Sequence, residues 1–147
     1  MAQQNHPSQN VLETFYRSKT VKSLALIDIF FSLFYFLFSP YLLIGNLIGL
    51  IFSYYGYHGA KVFDVNYTFI YLVYNILKTG ISIIFPIIIF SYISYPVGVI
   101  IFSVIIMLLN LYITLFVNKF YLNLKNCSEY ERSELVSLNY PLTIIIW

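Results

Sequence analysis

Charge is what this sequence has least of. Only 10% of its 147 residues are Asp, Glu, Lys or Arg, whereas 60% are hydrophobic and 20% aromatic. A soluble domain carries about 25% charge and about 45–50% apolar residues. So little polar surface cannot cover a globule in water. Disorder is excluded by the same figures, since disordered chains are charge-rich and poor in aromatics. Cysteine is nearly absent: Cys127 stands alone, which excludes an intramolecular disulfide and a Cys-based metal cluster. The two histidines, His6 and His58, are far apart. No phosphate-binding glycine loop, no H-E-x-x-H and no serine elbow is present. Nothing here calls for catalysis, a metal or a cofactor. The net charge of +2 offers no basic patch for nucleic acid.

Alanine is scarce too, with 3 residues against 22 isoleucines, 15 tyrosines and 10 asparagines. That bias favours AT-rich codons. It points to an AT-rich genome, such as that of a protist, an organelle or a large DNA virus, and so to an organelle or virion membrane as candidate locations.

What is abundant is uninterrupted apolar sequence. Residues 1–22 form a polar N-terminal arm carrying Glu13, Arg17, Lys19 and Lys22. No small-residue cleavage site follows the first apolar stretch, so the arm reads as mobile and retained, not as a signal peptide. Four apolar runs follow at about residues 23–39, 41–57, 67–90 and 97–118. A helix crosses the hydrocarbon core with roughly 17–25 residues. The last two runs fit comfortably and the first two sit at the lower limit. Ser39-Pro40 separates those two and should form a tight bend, because proline cannot continue a regular helix without a kink. The alternatives are one long kinked helix or a re-entrant hairpin.

The basic residues give the orientation. Arg17, Lys19 and Lys22 precede the first run, Lys61 lies between the second and third, and Lys119, Lys125 and Arg132 follow the fourth. Neither Ser39-Pro40 nor the Ser91–Pro96 loop carries one. Lys and Arg mark the cytoplasmic side of short loops. The expected fold is therefore an all-α polytopic membrane protein: a four-transmembrane-helix bundle, residues 23–118, with short loops and both termini on the cytoplasmic side.

Each run carries a polar or small stripe at helical spacing. The stripes are Asp28, Ser32, Tyr35 and Ser39; Gly45, Gly49 and Ser53; Tyr67, Tyr71, Tyr74, Asn75, Lys78 and Ser82; and Ser103, Met107, Asn110, Thr114 and Asn118. Steps of three and four place each set on one helix face. Lipid cannot hydrogen-bond these groups, so the faces should turn inward. Ser32, Tyr71, Asn75, Asn110 and Thr114 are the candidate polar bundle face. Gly45, Gly49 and Ser53 form a small-residue ridge suited to close helix packing.

Asp28 and Lys78 are the candidate intramembrane charge pair. Asp28 lies about 8 Å and Lys78 roughly 16 Å in from the cytoplasmic ends of their runs at 1.5 Å per residue. A lysine stem can snorkel back several ångströms, so the two can meet. Intramembrane charges mark ion or proton paths, or docking points, by default. A structural ion pair that fixes register is the alternative.

Tyr54, Tyr55, Tyr57 and His58 at one boundary, and Tyr92 and Tyr95 at the other, have the pattern of interfacial aromatic belts. Pro86 should kink the third helix, with Ser82 satisfying a freed carbonyl. Residues 119–147 form a cytoplasmic tail. Within it Ser128 and Glu131 make a capping box opening a short helix through about Leu138. Leu142–Trp147 is too short to span. Cys127, just past the fourth run, is a candidate for lipidation.

Gly56-Tyr57-His58-Gly59-Ala60, with Lys61 and Val62 following an apolar helix and a new apolar run from Tyr67, resembles the second helix, inner loop and third helix of tetraspanins and looser tetraspan proteins of protists and large DNA viruses. The resemblance implies four helices, cytoplasmic ends and a role in organising other membrane proteins. It covers about a fifth of the chain. Tyr57 stands where tetraspanins usually have cysteine, and Ser91–Pro96 replaces their large disulfide-bonded outer domain. The expected function is that of a scaffold, organiser or structural subunit, whose partners are the bilayer and other membrane proteins or further copies of itself. The rivals are a small oligomeric channel or transporter component and an accessory subunit of an energy-transducing complex.

Overall fold

The computed structural model describes residues 9–38, 43–92 and 97–139. All its elements are helices: α1 Gln9–Phe38, α2 Leu43–Val62, α3 Val65–Tyr92, α4 Val97–Asn126 and α5 Glu129–Asn139, with no strand among the described residues. Each of the first three packs on the next, and α4 returns to α1, closing a ring of helices. The short α5 lies against α1.

The ring is built inside out by the standards of a soluble protein. The buried stripe of α1 is Val11, Thr14, Ser18, Val21, Ala25 and Asp28, in steps of three and four. Its outer face is Leu26, Ile27, Phe30, Phe31 and Phe34. Asp28 is 7% exposed while Phe30, two residues on, is 64% exposed. In water that arrangement opposes the hydrophobic effect twice, by burying a charge and wetting an aromatic ring. In hydrocarbon it is the favourable one, since polar groups must find partners inside the protein. Along α4 the apolar side chains Val97, Ile101, Phe102, Ile105 and Leu108 are exposed. Among the described residues two helical stretches, Val65–Ile84 and Val97–Asn126, are long and apolar enough to cross a membrane.

Two boundaries differ from the sequence reading. The arm expected to be mobile is helical from Gln9 onward. Its buried stripe simply continues that of the apolar run, and the Arg17 guanidinium sits 5.6 Å above the Phe116 ring of α4. Helix α4 likewise continues past Asn118 to Asn126, burying Phe120 and Leu124. Its 30 residues span about 45 Å against a hydrocarbon core of about 30 Å. Lys119 and Lys125 therefore fall on a helical extension beyond the apolar part.

The junction of α2 and α3 is tighter than a loop. Helix α2 passes Tyr57 and ends at Val62. Phe63, buried at 3% exposure, takes a left-handed φ of 57°. The Asp64 amide then donates to the Gly59 carbonyl at 3.0 Å, the six-to-one bond of a Schellman end. Asp64 also caps α3, its Oδ1 accepting from the amides of Asn66 at 2.8 Å and Tyr67 at 3.0 Å. At the other short junction the capping box forms: the Ser128 amide donates to Glu131 Oε2 at 2.9 Å and the Glu131 amide to Ser128 Oγ at 3.3 Å.

Helix α3 runs on through Pro86. Ser82 Oγ donates to the Thr79 carbonyl at 2.8 Å, one turn back, and not to a carbonyl freed by the proline. The Ser39-Pro40 bend, the Ile93–Pro96 part of the second loop and the Leu142–Trp147 segment lie outside the described residues.

Candidate functional site

Asp28 is the centre of the polar interior. Helix α1 presents it one turn beyond Ala25, on the stripe facing α3. Its Oδ1 lies 2.6 Å from Lys78 Nζ, and its Oδ2 accepts the Tyr71 hydroxyl at 2.8 Å. Lys78 is seven residues past Tyr71, roughly 10 Å further along α3. Both nevertheless reach one carboxylate, because the lysine stem runs back toward the helix N-terminus. The carboxylate side chain is 9% exposed and that of Lys78 31%.

The network continues into α4. Asn75 Nδ2 donates to the Tyr71 carbonyl at 2.9 Å. The Thr79 and Thr114 hydroxyls stand 2.8 Å apart. One donates to the other, which donates on to a backbone carbonyl. The carbonyls in reach are Asn110 O, 3.2 Å from Thr79 and 2.9 Å from Thr114, and Asn75 O, 3.2 Å from Thr114. Side chains of α1, α3 and α4 thus form a set of bonds whose members are mostly buried. Beside it, Lys78, Ile81, Ser82, Ser103, Ile106 and Asn110 line an open cleft of about 330 Å³ between α3 and α4.

Helix α2 brings its smallest residues to this network. A Cβ on Gly49 would lie 2.8 Å from Ser32 Oγ and 3.2 Å from the Tyr74 hydroxyl. Ser53 is fully buried. A Cβ on Gly56 would lie 2.4 Å from Cγ of Tyr71. The close-packing stripe is therefore Gly49, Ser53, Gly56 and Ala60, in steps of four, three and four. Gly45, read from the sequence as the start of the ridge, is exposed and has nothing within 4 Å of a Cβ among the described residues. Its four-residue spacing from Gly49 gave no sign of where α2 leaves its neighbours.

Cys127 is 5% exposed, packed where α4 ends. Burial pushes its thiol pKa up, partly offset by the Thr14 hydroxyl beside it. Attaching a lipid there requires this end of α4 to open.

Sequence reasoning passed over three residues. Thr79 shares the face of Asn75 and Ser82 and was legible from that spacing. Gly56 was visible only as part of a motif. Asn139 carried no signal: its carboxamide bridges three helices, accepting from Lys22 Nζ at 3.2 Å and donating to the Lys61 carbonyl at 2.9 Å. Among the described residues no group of three His, Cys, Asp or Glu is placed to hold a metal ion.

In comparison with known proteins, no family model, no curated protein and no solved structure matches this chain.

Proposed function

We propose that this chain is a four-span membrane protein, with both termini on the cytoplasmic side, that serves as a scaffold or structural subunit of a larger membrane assembly. The observation that carries the reading is the fate of the polar groups. Asp28, Lys78, Tyr71, Asn75, Thr79 and Thr114 bond to one another or to nearby backbone. A pore would instead turn such groups toward a continuous water path. The outward faces are aliphatic and aromatic along α1, α2, α3 and α4, as a surface against lipid or neighbouring helices requires. Tyr54, Tyr55, His58 and Tyr67 cluster at the end of α2 and the start of α3, with rings 5.3–6.4 Å apart. That is the composition of an interfacial belt, with Lys61 just beyond it.

The experiment is the native mass of the full chain in mild detergent, with identification of what co-purifies. Specific partners of other sequence at fixed stoichiometry are expected. A uniform homo-oligomer without partners would overturn the scaffold reading.

One observation favours a channel or transporter component as second reading: Lys78 and Asn110 border the open cleft, so the charge pair is reachable from one side. Its test is ion flux in liposomes, with K78M and D28N as variants. Flux that both variants abolish would establish it.

A further inference from the structure

At the end of the helix ring where α5 docks, Lys22 of α1 is tied to the backbone of Lys61 at the end of α2. Asn139, the last residue of α5, does this. Its Oδ1 takes a hydrogen bond from Lys22 Nζ and its Nδ2 holds the Lys61 carbonyl, pinning the α1 lysine beside the end of α2. Lys19, one turn before Lys22, adds a third positive charge, its ammonium 4.6 Å from the Phe15 ring. None of the three has an ion-pair partner among the described residues, whereas Lys78 and Arg17 each have one. Holding like charges together in a partly buried place is unfavourable unless an anion joins them. The Lys22 ammonium registers that cost: burial first, then Lys19 and Lys61, hold its pKa below the usual lysine range.

The level of the cluster identifies the anion. Lys61 follows His58 and Tyr54 by one and two helical turns, just outside the aromatic belt. Belts of this kind sit at headgroup depth, so the lysines stand where lipid phosphates lie. Lysine binds phosphate as a compact point charge with three donors. Lys22 has donors left after serving Asn139.

We infer that Lys22, Lys61 and Lys19, organised by Asn139, form a binding site for a phosphate group, supplied by the headgroup of an anionic phospholipid. Only the source of the phosphate rests on the membrane reading. A chain that does not insert would still bind inorganic phosphate there and would gain nothing from lipid chains.

The test is lipid binding to the purified full chain in mild detergent, read by native mass spectrometry. Phosphatidylglycerol, phosphatidylcholine and inorganic phosphate are the probes. One saturable phosphatidylglycerol site is expected, with phosphatidylcholine much weaker. K22Q and K61Q should each weaken it about fivefold and together roughly 30-fold. The K22Q side chain keeps a donor for Asn139, so the fold is spared, and an unchanged melting temperature checks this. N139A should weaken binding without removing any charge. The pair K119Q and K125Q removes the same charge from the same side and should leave the site intact. Displacement of the lipid by millimolar inorganic phosphate would show that the phosphate alone is recognised, and resistance to it that the lipid chains contribute. Equal binding of phosphatidylcholine, or an equal loss in the Lys119 and Lys125 variants, would overturn the site.

Discussion

Gly56 of α2 lies flat against the ring of Tyr71 of α3, so close that a methyl group at position 56 would sit 2.4 Å from the ring carbon Cγ. The same ring donates its hydroxyl to Asp28 at 2.8 Å. A backbone contact on one side of Tyr71 thus sets the hydrogen bond on the other. Substitution G56A must push the ring away, and the Asp28 bond goes with it. Overpacking of this kind costs about 1–3 kcal/mol. A lowered melting temperature in detergent is expected for G56A. The matched change G45A meets no neighbour among the described residues and should be neutral or gain up to about 1 kcal/mol from helix propensity.

The ion pair of Asp28 and Lys78 should behave as a coupled unit. Removing one partner leaves a charge in a low-dielectric interior, at a cost of about 3–5 kcal/mol. The expected effect is toward the lower end, because Lys78 is partly exposed. D28N and K78M should each destabilise, and the double variant should recover much of the loss. Melting temperatures of the four proteins decide it. Additive losses would show that the two charges act independently.

Asp64 ends one helix and starts the next, so D64A should remove two hydrogen bonds to the α3 amides at once. Loss of an N-cap costs about 0.5–2 kcal/mol. D64N or D64S should keep most of the stability. Amide hydrogen exchange at Asn66 and Tyr67 provides a local readout, with faster exchange expected in D64A alone.

Cys127 should be slow to react. Its burial and raised pKa keep the thiol protonated and enclosed. Maleimide labelling of the folded chain should lag far behind that of the denatured chain and speed up only above the ordinary thiol range. The sign for stability follows from linkage: a folded-state pKa above the unfolded one favours the folded state while the thiol is protonated. That contribution is lost as pH rises through the folded value. The melting temperature of the native chain should therefore fall at alkaline pH by more than that of C127S.

Much of this architecture was legible because polar residues are so few in it. Asp28 and Lys78 were the only charges inside the apolar runs, and helical rise alone brought them within a lysine stem of each other. Asn75, Asn110 and Thr114 followed from steps of three and four. The N-terminal helix was not legible, because residues 9–22 look polar when counted and helical only when Val11, Thr14, Ser18 and Val21 are seen as a face against α4 and α5. The register of the glycine ridge was missed for a related reason. Small-residue spacing marks a possible contact, but which end of α2 stays near its neighbours depends on where α1 and α3 cross it. Asn139 was invisible because its partners are Lys22 and a backbone carbonyl, distant in sequence.

The central claim is that the ring of helices crosses the membrane four times, polar side inward and basic end on one side. Site-specific labelling in sealed vesicles tests it most directly, using single cysteines in a C127S background. E13C, N66C and E134C should react with an impermeant maleimide from one side only, and S39C and S94C from the opposite side only. Reaction of S39C from the same side as N66C would contradict a first hairpin that crosses the bilayer, and reaction of all five from one side would contradict the four-span account altogether.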